Sequence, residues 1–117
     1  MQTTTEIQGG VRVIHIDGHF TDGRDTDALR NALNRWLEDG ERLFVLDMSG
    51  CELLNSIGLG GMVSGFTSCA RQGGTLKLCG LTERNRRAAY VSRILDLFED
   101  HPDVAAAVAS FAQAGQG

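Results

Sequence analysis

The sequence predicts an α/β domain, a mixed sheet of about four to five strands covered by about four helices. Three observations carry this. Short apolar runs alternate with stretches of helical period along the chain. Leu43 to Met48 shows no polar alternation, as a central parallel strand covered on both faces requires. Glycine-bearing pairs such as Gly9-Gly10, Asp22-Gly23 and Gly73-Gly74 punctuate the segments.

Thr4 to Gln8 and Val11 to Ile16 read as strands, and Gly9-Gly10 between them as a hairpin turn, which makes an antiparallel pair. Asp17-Gly18 and Asp22-Gly23 read as turns. Asp25 caps a helix in which Leu29, Ala32, Leu33, Trp36 and Leu37 recur at helical spacing, and Gly40 ends it. After the Leu43 to Met48 strand, Leu59, Met62, Val63, Phe66, Cys69 and Ala70 mark a second helix, opened by the Ser56 segment and finished near Gly73-Gly74. Thr75 to Cys79 is a short strand. Thr82 caps a third helix with the stripe Ala88, Val91, Ile94 and Leu95, and Leu97-Phe98 begins a final strand. Pro102 and Asp103 suit the first turn of a last helix carrying Val104, Val108 and Phe111. There is no internal repeat.

The 117 residues fit one domain, 1–117, with a core over about 4–112 and a small, polar tail at 113–117 that is expected to fray. A hydrophobic content of 42% with 22% charged residues is that of a globular protein. Net charge −4 argues against direct binding to nucleic acid or to an anionic membrane surface. The cluster Arg84, Arg86, Arg87 and Arg93 reads first as a solvated helix face, and otherwise as a patch facing a partner or an anion. Cys51, Cys69 and Cys79 show no C-x-x-C spacing and read as reduced thiols, without disulfide framework or zinc. The start, MQTTTEIQGG, is no signal region, and no run approaches the roughly 20 apolar residues of a membrane span. A cytoplasmic location without membrane insertion is the expectation.

Chemistry concentrates in Leu43 to Gly61, where a buried strand feeds a loop that presents Ser56 at the start of a helix. Such a terminus offers unpaired N–H groups and a partial positive charge, a setting that tolerates a phosphate. Nucleophilic catalysis needs a base aimed at Ser56, yet His15, His19 and His101 are scattered and the G-x-S-x-G elbow is absent. Gly58, Gly60 and Gly61 lack the P-loop lysine. Each costs a helix roughly 1 kcal/mol relative to alanine, which either close packing on the sheet or access for a partner must offset. Asp47 reads as capping Ser49-Gly50 rather than as a general base or metal ligand, and Glu52 and Asn55 as satisfying exposed backbone.

The segments Val45-Leu46-Asp47-Met48-Ser49-Gly50, Asn55-Ser56-Ile57-Gly58-Leu59 and Gly73-Gly74-Thr75-Leu76-Lys77-Leu78 resemble the STAS domain of bacterial anti-sigma factor antagonists. The likeness runs from about Gly10 to Phe111. It implies a regulatory module without catalysis or cofactor that takes part in transcription regulation by partner switching. Such a module binds an anti-sigma factor or serine-protein kinase while its loop serine is free. Phosphorylation breaks the complex, and a metal-dependent serine phosphatase restores it. Carried to this chain, the acceptor is Ser56, and Asn55, Ser56, Ile57, Gly58, Leu59 and Gly60 form the docking surface. The residue before the acceptor is usually aspartate in phosphorylated members, and here it is Asn55. The alternative implied is a phosphorylation-independent adaptor or scaffold, such as a subunit of a lipid-transport assembly.

Overall fold

Two strands, β1 (Gln2–Gln8) and β2 (Val11–Phe20), open the computed structural model, which describes residues 1–114. Gly9 and Gly10 join them at φ of 56° and 79°, the left-handed values that a two-residue hairpin demands. There follow α1 (Gly23–Glu38), β3 (Leu43–Leu54), α2 (Ser56–Arg71), β4 (Thr75–Cys79), α3 (Glu83–Val91), a 3-10 turn (Ile94–Asp96), β5 (Asp100–His101) and α4 (Val104–Ala114). The sheet order is β1-β2-β3-β4-β5, with β1 antiparallel to β2 and every other pairing parallel. This five-stranded mixed sheet with four helices is the expected fold class.

The sheet buries both faces, which explains the unalternated runs in β2 and β3. Ile14, Ile16, Phe44, Leu46, Met48, Leu76 and Leu78 pack with Leu29, Leu33 and Leu37 of α1 and Leu59, Met62 and Cys69 of α2. Val11, Val13, Val45 and Cys79 meet Ala107 of α4 on the other face. Lys77 is buried on that second face, where its Nζ donates to Ser110 Oγ (2.7 Å), lies 3.0 Å from Glu99 and sits 4.1 Å above the Phe111 ring. These contacts leave the buried ammonium both paired and solvated by protein.

Several boundaries differ from the sequence reading. β2 and β3 run through Asp17-Gly18 and Ser49-Gly50 instead of stopping there, because β3 bulges at two register shifts, opposite His15/Asp17 and Gly18/His19. Between the Arg12–Phe44 and Phe20–Leu54 pairings, β3 uses two more residues than β2. Its inward positions consequently spread from Phe44, Leu46 and Met48 to Cys51 and Leu54. Asp22, not Asp25, caps α1 by accepting from Arg24 N at 2.8 Å. α3 stops at Val91, where Ser92 Oγ donates to the Ala88 carbonyl (2.8 Å) and Arg93 turns left-handed at φ 65°. Val91, Ile94 and Leu95 therefore form no stripe of one helix. Leu97-Phe98 is not a strand; Phe98 packs edge-on against Phe66 (5.2 Å, 62°), and β5 begins at Asp100. Asp103 precedes α4 and accepts from Ala106 N (2.8 Å). α4 extends through Ala114, overlapping the start of the expected tail, and positions 115–117 of that tail lie outside the described residues.

Candidate functional site

Ser56 is the first residue of α2 and is exposed. Asn55 sets its geometry as the cap: its Oδ1 accepts from Gly58 N (3.0 Å), and its carbonyl accepts from Leu59 N (2.8 Å). The amides of Ser56 and Ile57 precede the first intrahelical bond, so they stay available beside the serine hydroxyl. Among the described residues, Ser56 Oγ takes part in no hydrogen bond. The other half of the Asn55 amide is also used, since Nδ2 donates to the Thr21 carbonyl at 3.2 Å. An aspartate at this position would keep the cap but set a carboxylate against that carbonyl, which gives the asparagine a local physical reason. The link to Thr21 spans the chain from β3 to the β2–α1 junction and has no signal in the sequence.

The glycines of this segment divide by role. A Cβ on Gly58 would lie 2.0 Å from the Phe20 carbonyl oxygen, and one on Gly61 2.5 Å from Thr26 Oγ1 and 2.7 Å from the Phe20 ring. Both are packing glycines that let α2 close on β2 and α1. Gly60 meets nothing within 4 Å and faces outward. Close packing and open access thus both operate, at different positions. Of the six docking residues, Ser56, Ile57 and Gly60 are exposed and Asn55 is half-buried. Gly58 and Leu59 are buried and shape the segment from beneath.

No histidine attends the serine. His15 Nδ1 lies 2.6 Å from Asp47 Oδ2 and Nε2 3.4 Å from Glu6, His19 lies 3.7 Å from Glu52, and His101 lies 3.0 Å from Glu99. Asp47 Oδ1 also accepts from Ser49 N (3.0 Å), the capping role expected of it, though within a strand. Among the described residues, no group of three or more His, Cys, Asp or Glu is placed to hold a metal ion. The three cysteines are buried free thiols, and burial pushes Cys69 up to about 11 and Cys79 up to about 12, the latter with help from Asp47.

The Glu6–His15–Asp47 trio ties β1 to β3 across β2 and sets a pH dependence. Burial disfavours the charged imidazole, but hydrogen bonds to Asp47 and Glu6 outweigh it and raise His15 above 6.5. Burial likewise opposes ionisation of Asp47, yet Ser49 N–H and His15 hold it below 3.8. The His15 contribution is complete below about pH 6.5 and fades as pH rises through its raised value; that of Asp47 fades as pH falls through its lowered one. Urea unfolding should therefore show stability falling from about pH 5.5 to about pH 8.5, and His15→Gln should flatten that decline. An unchanged slope in the variant would remove the trio as its cause.

A family model described as STAS domain matches residues 2–107. The chain belongs to the STAS domain family. Solved structures agree on the fold. An anti-sigma factor antagonist from Mycobacterium paratuberculosis superposes with a TM-score of 0.79 at 23% identity, covering 93% of this chain and 92% of that one. A sulfate transporter family protein from Wolinella succinogenes gives 0.80 at 21%, covering 96% and 93%. The phosphorylated form of the Bacillus cell fate determinant SpoIIAA gives 0.64 at 14%, covering 87% and 93%. No curated protein sequence matches significantly. In this STAS domain, no helix among the described residues is long and apolar enough to cross a membrane.

Proposed function

We propose that this STAS domain is an anti-sigma factor antagonist, which sequesters an anti-sigma factor with serine-kinase activity through the Asn55–Gly60 segment and releases it on phosphorylation of Ser56. The observation that carries the reading is an exposed, unbonded hydroxyl at the first position of a capped 16-residue helix. Transfer of the γ-phosphoryl group of ATP to Oγ, with release of ADP and the hydroxyl proton, places about −1.5 to −2 charge at that helix terminus. The module tolerates the charge, because the helix dipole and the free amides favour it. The partner does not, because Ile57 (49% exposed) and Gly60 present an apolar, close-approach surface next to the phosphate. A metal-dependent serine phosphatase resets the switch. The chain itself performs no catalysis in this scheme, and the transcription machinery is reached only through the partner.

The test is intact-mass measurement after incubation with ATP and the cognate kinase, with the expected addition of one phosphoryl group, abolished in Ser56→Ala. The neutral Asn55 favours a second reading, a phosphorylation-independent adaptor, and an unshifted mass with intact partner binding would establish that reading instead.

A further inference from the structure

We propose that the outer side of α3 is a second docking surface, suited to an acidic amphipathic segment of a partner protein and independent of the state of Ser56. Arg84, Arg87, Tyr90 and Val91 fall at i, i+3, i+6 and i+7 and so share one side of the helix. Tyr90 and Val91, at 73% and 74%, are the most exposed large apolar side chains among the described residues, and Leu97, a few residues further along the chain, is exposed at 47%. The inner side of α3, with Asn85 and Ala89 buried, already holds the helix on the domain; Asn85 Nδ2 donates to the Cys51 carbonyl at 2.9 Å. Folding gives no reason for Tyr90 and Val91 to stand in water.

The charges beside them point to the occupant. Arg12, Arg24, Arg30, Arg86 and Arg93 each pair with a carboxylate, and Arg35, Arg42, Arg71, Arg84 and Arg87 have no ion pair among the described residues; of these five only Arg84 and Arg87 share one helix turn beside exposed apolar side chains. On a chain of net charge −4, two neighbouring uncompensated guanidinium groups form a local positive site. A groove of about 350 Å³ lined by Glu83, Arg86, Arg87, Tyr90 and Leu95 runs alongside, and another of about 360 Å³ is lined by Tyr90, Val91, Arg93 and Asp96. Carboxylates of a partner pair with Arg84 and Arg87 in forked geometry, while its apolar residues enter the grooves against Tyr90 and Leu95. Aromatic and arginine side chains around shallow apolar grooves are the composition of interface hot spots. A nucleic acid or an anionic bilayer fits less well, since Glu83 and Asp96 interrupt the positive surface and the whole chain is acidic.

The experiment follows backbone amide shifts by NMR while the full chain is titrated with a synthetic amphipathic peptide of about 16 residues bearing Glu and Leu at helical spacing. Its Lys-for-Glu counterpart and phosphatidylglycerol vesicles are titrated in parallel. The expected result is shifts confined to residues 84–97 with the acidic peptide, weakened at least about tenfold in Arg84→Glu/Arg87→Glu and reduced by added salt. Tyr90→Ala should weaken binding as well, and Ser56→Asp should leave it unchanged. No shift at millimolar peptide, equal binding of the lysine peptide, stronger binding of vesicles, or sensitivity to Ser56→Asp would each overturn the proposal. None of these outcomes bears on whether Ser56 is phosphorylated.

Discussion

Gly58→Ala is expected to destabilise the domain by about 3 kcal/mol, the upper end of the usual cost of overpacking. The added methyl would sit 2.0 Å from the Phe20 carbonyl oxygen and 2.7 Å from Leu54 Cδ1. The leucine can rotate, but the carbonyl belongs to the last residue of β2 and cannot step aside without moving the strand. Alanine's helix preference, about 1 kcal/mol over glycine, recovers only part of that cost. Gly60→Ala, two residues on, has nothing within 4 Å and should instead raise stability by about 0.5–1 kcal/mol. Urea midpoints of the two variants measured side by side check this, and shifts of the same sign would refute the division into packing and access glycines.

Ser56→Asp should weaken binding of the partner by more than about 1.4 kcal/mol, a tenfold change, and leave the melting temperature nearly unmoved. The carboxylate carries less charge than a phosphate, so the figure is a lower bound for the modified protein. Position one of α2 is exposed and precedes the intrahelical bonds, so an anion there meets free amides and the positive end of the helix. Calorimetric titration of the partner and a thermal scan of the variant give the two readings. Loss of melting temperature with affinity intact would place the effect in the fold rather than at the interface.

How much of this was legible in the sequence depended on whether the signal was local. α2 was readable because Leu59, Met62 and Cys69 repeat at helical spacing, and Ser56 because it follows an apolar run that stops at polar residues. The second half of β3 was not, since bulges stretch its inward spacing to three residues at Cys51 and Leu54, a pattern that imitates the end of a strand. β5 has only two residues and exists through pairing with β4, as in the Leu78 N to Glu99 O bond of 3.0 Å; no propensity marks it. Phe98 misled in the opposite direction, being apolar for its contact with Phe66 rather than for a place in the sheet. The site itself was half visible: the serine and its cap are neighbours in sequence, whereas Thr21, Phe20 and Thr26 reach it only through the fold. Glycine spacing alone gave no way to separate Gly58 from Gly60.

The paired bulges of β3 have a consequence for the placement of Ser56. Each extra residue is absorbed where it enters, so Cys51 beyond the first bulge and Leu54 beyond the second both stay in the core that Met48 faces, opposite Gly18 and Phe20 of β2. Deleting the extra residue at either bulge would therefore restore regular pairing with β2 and keep Leu54 opposite Phe20, losing only the local twist that the bulge adds. The hydroxyl of Ser56 is thus carried by a strand end that stays matched to Phe20 although β3 spends two more residues than its neighbour to reach it.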